Sequence, residues 1–454
     1  MQKKIRTIIF SIMAIIFFAA APMILFYSEG YRFDFQEKKL LKTGGFYVKT
    51  SVPAAEVYID QKFINKTSTF ITYDYLAQNL LPKNHDIKIQ KTGYHTWEKT
   101  LAVKEKMVAQ ANVTLFPDSI AFSPAEQKVK NTYAFPNQNI LILAYTDGSL
   151  YAYENQQKNL ILAPKLANTI KVSEMQMSPD SRTIIVKAIE NKTLKQKYYL
   201  LSTIKENTAL AEIKNLDKTT RNIFFYANNL IYFDQNSKVY RQALDLQKPT
   251  AIINTAVDAF TIDGDNLYYL QKEIITRENL LTTFKENLTI EPIETNSKYA
   301  YGLFVYGGNV FVSENKKNIY WLNDKTKILK KIISADSEIK YYPQFDKILF
   351  TDRSQIWMFF LNDYESPFFV KANTLIPVTK FLNVDNLNWI GGDYFSFIDS
   401  KGKIEISEID NRGGSVNFFQ ASDIDATELW FDRNAKSLYV LSGNTLSASP
   451  KIIP

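Results

Sequence analysis

The sequence predicts an all-β protein with one N-terminal transmembrane helix, a small β-sandwich domain and a β-propeller of about eight blades. Three patterns support this prediction: an apolar N-terminal run, alternating strands between residues 45 and 117, and a strand pair that recurs throughout residues 118–454. The chain of 454 residues exceeds one ordinary domain, so several folded units are expected. Its aromatic content of 14% favours strands.

The N-terminal segment has the length and composition of a membrane span. A basic stretch, residues 1–6, precedes the uncharged run from Thr7 to Tyr27. At 1.5 Å per residue this run is about 30 Å long, which matches the hydrocarbon core of a bilayer. The small residues at 19–21 resemble a signal-peptide cleavage site, but Pro22 follows at once and the apolar run continues. The sequence therefore favours an uncleaved signal anchor over a cleaved signal peptide.

The direction of this helix does not follow from the flanking charges, because basic residues are at least as frequent after the helix as before it. The layout of a short basic tail, an apolar core and a long following domain is that of a secretory signal. It predicts a cytoplasmic tail at 1–6, a membrane anchor at 7–27 and an extracytoplasmic remainder. The expected location is the cell membrane, crossed once.

Residues 28–44 are predicted to be a linker, and residues 45–117 to form a small β-domain. Apolar and polar residues alternate at 55–60 and at 85–90, as in strands with one buried face. Turn residues separate these segments.

Short motifs in this domain carry a family resemblance. They read SVPAAEVYID at 51–60, KTGYHTW at 91–97, LAV at 101–103 and VTL at 113–115. In this order they resemble the PEGA family of small β-sandwich-like surface domains. The Glu-Gly that follows the family's signature proline is missing after Pro53, which leaves the geometry of the first turn open. The resemblance implies an extracytoplasmic accessory module and supplies no catalytic residues.

Residues 118–454 contain a repeated strand, turn and strand. The leading strands begin at Ile140, Ile184, Leu230, Leu267, Val310, Ile348, Tyr394 and Leu438. Their spacing averages about 43 residues, which is typical of four-stranded propeller blades. Eight starts predict eight blades. The last unit is short and can merge with residues 118–139 to close the ring, so seven blades is the alternative.

One turn in this region resembles a known propeller signature. Residues 177–184, MSPDSRTI, are similar to the Ser-Pro-Asp-Gly turn of Tol-system and WD-repeat propellers. The similarity implies the architecture and no particular activity.

Few residues in the chain suggest catalysis. Cysteine is absent, which excludes disulfides, thiolate nucleophiles and Cys-ligated metals. His85 and His95 both lie in the small domain, so the propeller contains no Ser-His-Asp triad. We interpret both histidines as strand or turn residues and not as metal ligands or bases.

We interpret carboxylates of the propeller and the tryptophans of both domains as structural residues. Asp180, Asp346 and Asp432 occupy equivalent turns, where Asp accepts backbone hydrogen bonds. Residues 261–266 lack the spaced acids of a calcium loop and are predicted to be a turn. The tryptophans are expected in cores and not on sugar-binding surfaces; these are Trp97, Trp321, Trp357, Trp389 and Trp430. No catalytic, cofactor-binding or metal-binding residue is assigned, and no cofactor is expected.

These patterns predict a non-enzymatic binding or scaffold protein that presents its propeller to a protein or a cell-envelope glycan. The alternative is an extracytoplasmic carbohydrate-active hydrolase or lyase with carboxylates at the propeller mouth. An inward-signalling sensor is disfavoured by the short predicted cytoplasmic tail. The net charge of +7 comes from scattered lysines, so nucleic acid is not expected as a partner.

Overall fold

The N-terminal helix α1 spans Lys3–Ser28 and is followed by strands throughout most of the chain. We describe a computed structural model, which covers residues 3–35, 37–154, 157–206, 208–245, 248–292, 298–380 and 384–453. None of the apolar stretch Arg6–Ser28 is buried against the rest of the protein. At about 35 Å it is long enough to cross a bilayer. The helix ends where Gly30 adopts a φ of +84°, a conformation that glycine adopts readily.

A two-stranded hairpin follows the helix within the predicted linker. Strands β1 (Tyr31–Asp34) and β2 (Lys39–Lys42) pair antiparallel. Each strand has only four residues and lysine occurs at both ends of β2, so the strand pattern is weak in the sequence.

The small domain is a sandwich of two sheets. Its strands are β3 (Gly44–Thr50), β4 (Glu56–Ile59), β5 (Lys62–Lys66), β6 (Asp74–Leu80), β7 (Asn84–Gln90), β8 (Trp97–Ala102) and β9 (Val108–Val113). One sheet has the order β6-β3-β9, with β3 and β9 parallel, and the other has the order β5-β4-β7-β8. Buried and exposed residues alternate strictly along β8, as expected for a sheet with one face in the core. Phe46, Val57, Ile87 and Trp97 lie in that core.

The described residues beyond the sandwich form eight four-stranded antiparallel sheets, numbered 1 to 8 in chain order. Sheets 1 to 4 consist of β11 (Val129–Phe135), β12 (Ile140–Tyr145), β13 (Leu150–Glu154) and β14 (Gln157–Leu162); β15 (Ile170–Met177), β16 (Thr183–Glu190), β17 (Gln196–Ser202) and β18 (Ala211–Glu212); β19 (Thr220–Ala227), β20 (Leu230–Gln235), β21 (Lys238–Ala243) and β22 (Thr250–Ile253); and β23 (Ala259–Asp263), β24 (Asn266–Gln271), β25 (Ile274–Asn279) and β26 (Lys285–Asn287). A short helix α2 (Pro164–Ala167) joins sheets 1 and 2.

Sheets 5 to 7 repeat this arrangement. They consist of β27 (Tyr301–Tyr306), β28 (Asn309–Glu314), β29 (Asn318–Asn323) and β30 (Ile328–Ser334); β31 (Lys340–Gln344), β32 (Lys347–Thr351), β33 (Gln355–Phe360) and β34 (Thr374–Lys380); and β35 (Asp385–Ile390), β36 (Tyr394–Ile398), β37 (Ile404–Glu408) and β38 (Phe418–Ser422). A 3₁₀ turn at Arg412–Gly414 lies between the last two strands.

Sheet 8 closes the ring with strands from both ends of this region. It consists of β39 (Glu428–Asp432), β40 (Ser437–Ser442), β41 (Thr445–Ala448) and the earlier strand β10 (Ser123–Gln127). The segment predicted to contribute to closure, residues 118–139, therefore supplies the outer strand of this sheet. All eight predicted strand starts lie in the second strand of a sheet.

The cores of the propeller lie between neighbouring sheets. Each of eight apolar clusters joins two consecutive sheets, and the cluster of Leu141, Tyr153, Trp430 and Tyr439 joins sheet 8 back to sheet 1. Because the middle strands are covered on both faces, β12 has four consecutive buried apolar residues. The all-β fold with an N-terminal apolar helix and a propeller is therefore confirmed.

Candidate binding site in the propeller channel

The inner edge of the ring is formed by the first strand of each of sheets 1 to 7 and by β39 of sheet 8. A cavity of about 550 Å³ is lined by the first strands of sheets 2 to 6, namely β15, β19, β23, β27 and β31. Contact with five consecutive first strands places the cavity in the axial channel. Its volume lies within the range of ligand pockets.

Stacked aromatic rings form one wall of this cavity. The rings of Phe304 and Tyr341 are parallel within 7°, with centroids 4.0 Å apart, and Phe311 stacks behind Phe304 at 4.9 Å. Phe304 is buried, whereas the Tyr341 side chain is 44% exposed. The stack thus starts in the core between sheets 5 and 6 and ends with an exposed ring in the channel. On the neighbouring first strands β19 and β23, Phe224 packs edge-on against Phe260.

Polar groups occupy the same cavity. Gln176, Asn222, Thr261 and Ser313 line it together with the aromatic residues. Amides and hydroxyls beside a flat apolar ring provide hydrogen bonds and a stacking face at one place.

Ion pairs surround the cavity. Lys316 Nζ lies 2.8 Å from Glu338 Oε1, Lys187 Nζ lies 3.4 Å from Glu174 Oε2, and the Arg221 guanidinium pairs with the buried Asp234. Hydrogen bonding and charge from Lys316 lower the pKa of the Glu338 carboxyl. Both cavity carboxylates, Glu174 and Glu338, therefore have a cationic partner.

The small sandwich and the cavity residues Lys316 and Glu338 lie on opposite faces of the ring. Lys316 and Glu338 mark the face where the first strands begin, while the sandwich contacts the turn at Arg412–Gly414 on the other face. Gly413 has a φ of +75°, and a β-carbon at this position would lie 2.5 Å from the Thr100 carbonyl oxygen. The close approach of the two domains thus requires glycine here.

Buried charges hold the sandwich on the propeller. The side chain of Lys99 is fully buried, and its Nζ lies 2.6 Å from Glu408 Oε1 and donates to the carbonyl of Asp410. Trp97 Nε1 donates to Glu408 Oε2 at 2.8 Å. Arg412 pairs with Asp410 and donates to the carbonyl of Gln110 in the sandwich. The sequence analysis did not identify this cluster, because the residues that meet across the two domains are more than 300 positions apart.

The sequence of the small sandwich places it in a known family. Residues 43–119 match the PEGA domain family. This part of the chain is a PEGA domain. The predicted resemblance is confirmed. No curated protein matches the chain in sequence.

Solved structures similar to this chain include propellers. The computationally designed Ika8 protein aligns over 73% of this chain and 98% of its own, with 10% identity and a TM-score of 0.44. BamB from Moraxella catarrhalis aligns over 73% and 97%, with 9% identity and a TM-score of 0.42. The Cps50 (Swd1) β-propeller domain of Myceliophteria thermophila aligns over 61% and 96%, with 11% identity and a TM-score of 0.37. The similarities are too weak to indicate function, and the propeller fold rests on the closed ring of sheets.

Both histidines of the PEGA domain make contacts that stabilise the fold. His85 is buried, with Nδ1 2.8 Å from Asp60 Oδ2 and Nε2 2.8 Å from the Leu81 carbonyl oxygen, so it ties two turns to β7. His95 stacks on Phe419 of the propeller with ring centroids 4.0 Å apart. The sequence did not predict that His95 lies at the domain junction.

The predicted turn residues lie at the turns between first and second strands. Asp180 accepts from Ser178 Oγ and the Arg182 amide, and Asp432 accepts from two backbone amides in its own turn. Asp346 differs, because its carboxylate pairs with Lys347. Gly264 and Asp265 form the two-residue turn between β23 and β24. Within the described residues, no group of three or more potential His, Cys, Asp or Glu ligands comes together.

The propeller tryptophans pack between sheets, which is the interpretation that the sequence favoured. Trp321 and Trp430 are buried, and Trp357 and Trp389 pack against the cores beside sheet 6. None of the four lines the channel cavity described above. The aromatic wall consists of phenylalanine and tyrosine instead, and these residues are too common in this chain to stand out in the sequence.

The junction between the PEGA domain and the propeller is expected to weaken in mild acid. Burial lowers the pKa of His95, although the charge of Asp118 opposes this shift. Among the described residues no hydrogen-bond partner meets its buried Nε2. The folded state therefore favours the neutral ring, and stability present above the ordinary pKa of about 6.5 is lost as the pH falls below it.

Thermal unfolding at pH 7.5 and 5.5 measures this effect in the wild type and in His95→Phe, which keeps a ring against Phe419. The Tm of the wild type should decrease more on acidification than the Tm of the variant. Equal losses in the two proteins would contradict the assignment to His95.

Proposed function

We propose that this chain is a single-pass membrane protein that holds its propeller outside the cytoplasm, where the channel cavity binds a protein or a cell-envelope glycan. The observation that carries the proposal is the cavity itself, with the exposed Tyr341 ring and polar side chains converging on one space. The apolar helix supports the anchor. The PEGA domain at residues 43–119 supports an extracytoplasmic location.

The geometry supports presentation of the cavity away from the anchor. The PEGA domain follows the helix and the hairpin of β1 and β2, and it contacts the turn at Arg412–Gly414 on the face where the first strands end. The cavity residues Lys316 and Glu338 lie on the opposite face, where the first strands begin. A partner that enters the channel from that face approaches it away from the PEGA domain. In this arrangement residues 1–6 form the cytoplasmic tail.

The ion pairs made by the cavity carboxylates favour binding over hydrolysis. A glycoside hydrolase requires one carboxyl group that stays protonated near neutral pH, which needs a raised pKa. Lys316 lowers the pKa of Glu338, and Lys187 pairs with Glu174. These ion pairs favour a site that recognises its partner and leaves it unchanged.

Tyr341→Ala is expected to weaken partner binding about tenfold, because it removes a stacking face worth about 1.4 kcal/mol. The full-length protein in nanodiscs can be titrated with cell-envelope polysaccharides and with peptides from envelope proteins, using calorimetry. A response to one class identifies the partner's chemistry.

Phe284→Ala is the matched control. This ring is 64% exposed but lies in the turn between β25 and β26, outside the residues that line the cavity. The control should bind as the wild type does. Equal binding by Tyr341→Ala and the wild type would contradict the channel as the site.

A further inference from the structure

The hairpin of β1 and β2 presents an apolar face directly after the helix. Phe33 and Leu40 lie opposite each other across the hairpin and are 48% and 45% exposed. Phe35 is 84% exposed and packs edge-on against Phe33, with ring centroids 5.2 Å apart. An isolated two-stranded hairpin is marginally stable in water, and exposed aromatic residues on one face add to the cost.

This hairpin is fixed to the end of the helix. The Tyr31 ring contacts the Phe26 ring edge-on at 5.6 Å. The Arg32 guanidinium lies 3.4 Å from the centre of the Tyr27 ring and donates to the Tyr27 carbonyl at 2.9 Å. These contacts join the last helical turn to the first strand.

The length of the helix determines where the hairpin lies relative to a bilayer. If Arg6–Ser28 crosses the hydrocarbon core, the last turn with Phe26 lies at its outer boundary. Tyr31, in ring contact with Phe26, then lies at the same boundary. Phe33 lies in the short strand β1 and Phe35 directly after it, at the depth where aromatic side chains are enriched in membrane proteins.

Basic residues occur in the hairpin and in a neighbouring turn. Lys38, Lys39 and Lys42 belong to the hairpin, and Lys104 and Lys106 belong to an adjacent turn of the PEGA domain, whose Lys106 amide donates to the Thr43 carbonyl at 3.0 Å. Met107, in the same turn, is 58% exposed. The acidic residues nearby are Glu29, Asp34, Glu37 and Glu105, so the two segments carry a net positive charge.

We propose that this hairpin is a membrane-contacting foot: Phe33, Phe35 and Leu40 insert into the interface of the outer leaflet, and the lysines contact anionic lipid headgroups. The proposal rests on the membrane anchor of the proposed function. The foot gives the PEGA domain a second point of attachment beside the helix. Together with the buried junction at Lys99, it fixes the direction in which the channel faces.

Spin labelling tests the foot in the full-length protein, which has no native cysteine. Phe35→Cys carries the probe, and Phe18→Cys marks the middle of the helix. Phe70→Cys is the matched control, because Phe70 is an 80% exposed phenylalanine of the PEGA domain that lies next to the loop at the far end of β3 from the hairpin. Each protein is placed in nanodiscs of phosphatidylcholine with phosphatidylglycerol. Collision rates with oxygen and with a water-soluble nickel chelate are then measured.

The label at position 35 is expected to collide with the nickel chelate several-fold less often than the label at position 70. Equal nickel collision at positions 35 and 70, with position 18 in lipid, would overturn the foot and leave the anchor intact. Nickel access at position 18 would overturn the anchor and the foot together. If protection at position 35 is the same without phosphatidylglycerol, the role of the lysines is overturned.

Discussion

Replacing Lys99 by methionine is expected to lower the free energy of unfolding by about 3–5 kcal/mol, which is typical for removing one partner of a buried ion pair. The Lys99 side chain is fully buried and that of Glu408 is 4% exposed. Methionine fills much of the space but leaves the Glu408 carboxylate without its cation. Denaturant unfolding of the full-length protein measures the loss.

Two further variants separate charge from packing at this junction. Lys99→Met with Glu408→Gln should recover much of the loss, because glutamine still accepts hydrogen bonds and Asp410 keeps its pairing with Arg412. Lys316→Met removes one partner of the exposed Lys316–Glu338 pair and should cost less than about 1 kcal/mol. If the double variant is as unstable as Lys99→Met, packing and not charge explains the effect.

The loss should also depend on pH. Burial raises the pKa of Glu408, and Lys99 opposes that shift. Without Lys99 the pKa rises further, so the carboxyl is protonated over a wider range and the buried charge disappears sooner as the pH falls. The cost of Lys99→Met should therefore be larger at pH 8 than at pH 5. A cost that does not change with pH would contradict an ionised Glu408.

The sequence identified the middle strands of the propeller and missed the inner ones for a physical reason. Second strands such as β12 are covered by sheets on both sides, so they form continuous apolar runs at a regular spacing. First strands line the channel, so β11 mixes Lys130 and Asn131 with Tyr133. Some outer strands are very short, and β18 has two residues. The repeat was visible in the sequence, but the binding surface was not.

The domain junction and the hairpin depend on contacts that a local pattern does not encode. Lys99 and Glu408 appear in the sequence as ordinary charged strand residues, and their pairing follows from the position of the PEGA domain on sheet 7. The hairpin lies in the segment predicted to be a linker, because residues 28–43 form a polar stretch in which a few apolar residues lie among charged ones. That pattern is typical of solvent-exposed chain, but it is also what a bilayer interface requires.

Closure of the ring makes Leu446 the second position where a large effect is expected. Leu446 is 1% exposed in β41, opposite Glu126 of β10, and it packs in the cluster that joins sheet 8 to sheet 1. Leu446→Ala should lower the free energy of unfolding by about 2–5 kcal/mol, since it opens a cavity in this cluster. Amide hydrogen exchange in residues 123–127 should rise at the same time, because β10 is held by β41 and has no other strand beside it.

Thr445→Ala is the control for the same strand, since Thr445 is only partly buried and lies outside the closing cluster. It should leave exchange at residues 123–127 nearly unchanged. Sheet 8 combines β10 with three strands from the other end of the ring, so release of β10 would open this sheet. If Leu446→Ala destabilises the protein without faster exchange in β10, the closing strand is held by other contacts and the ring is not opened from this sheet.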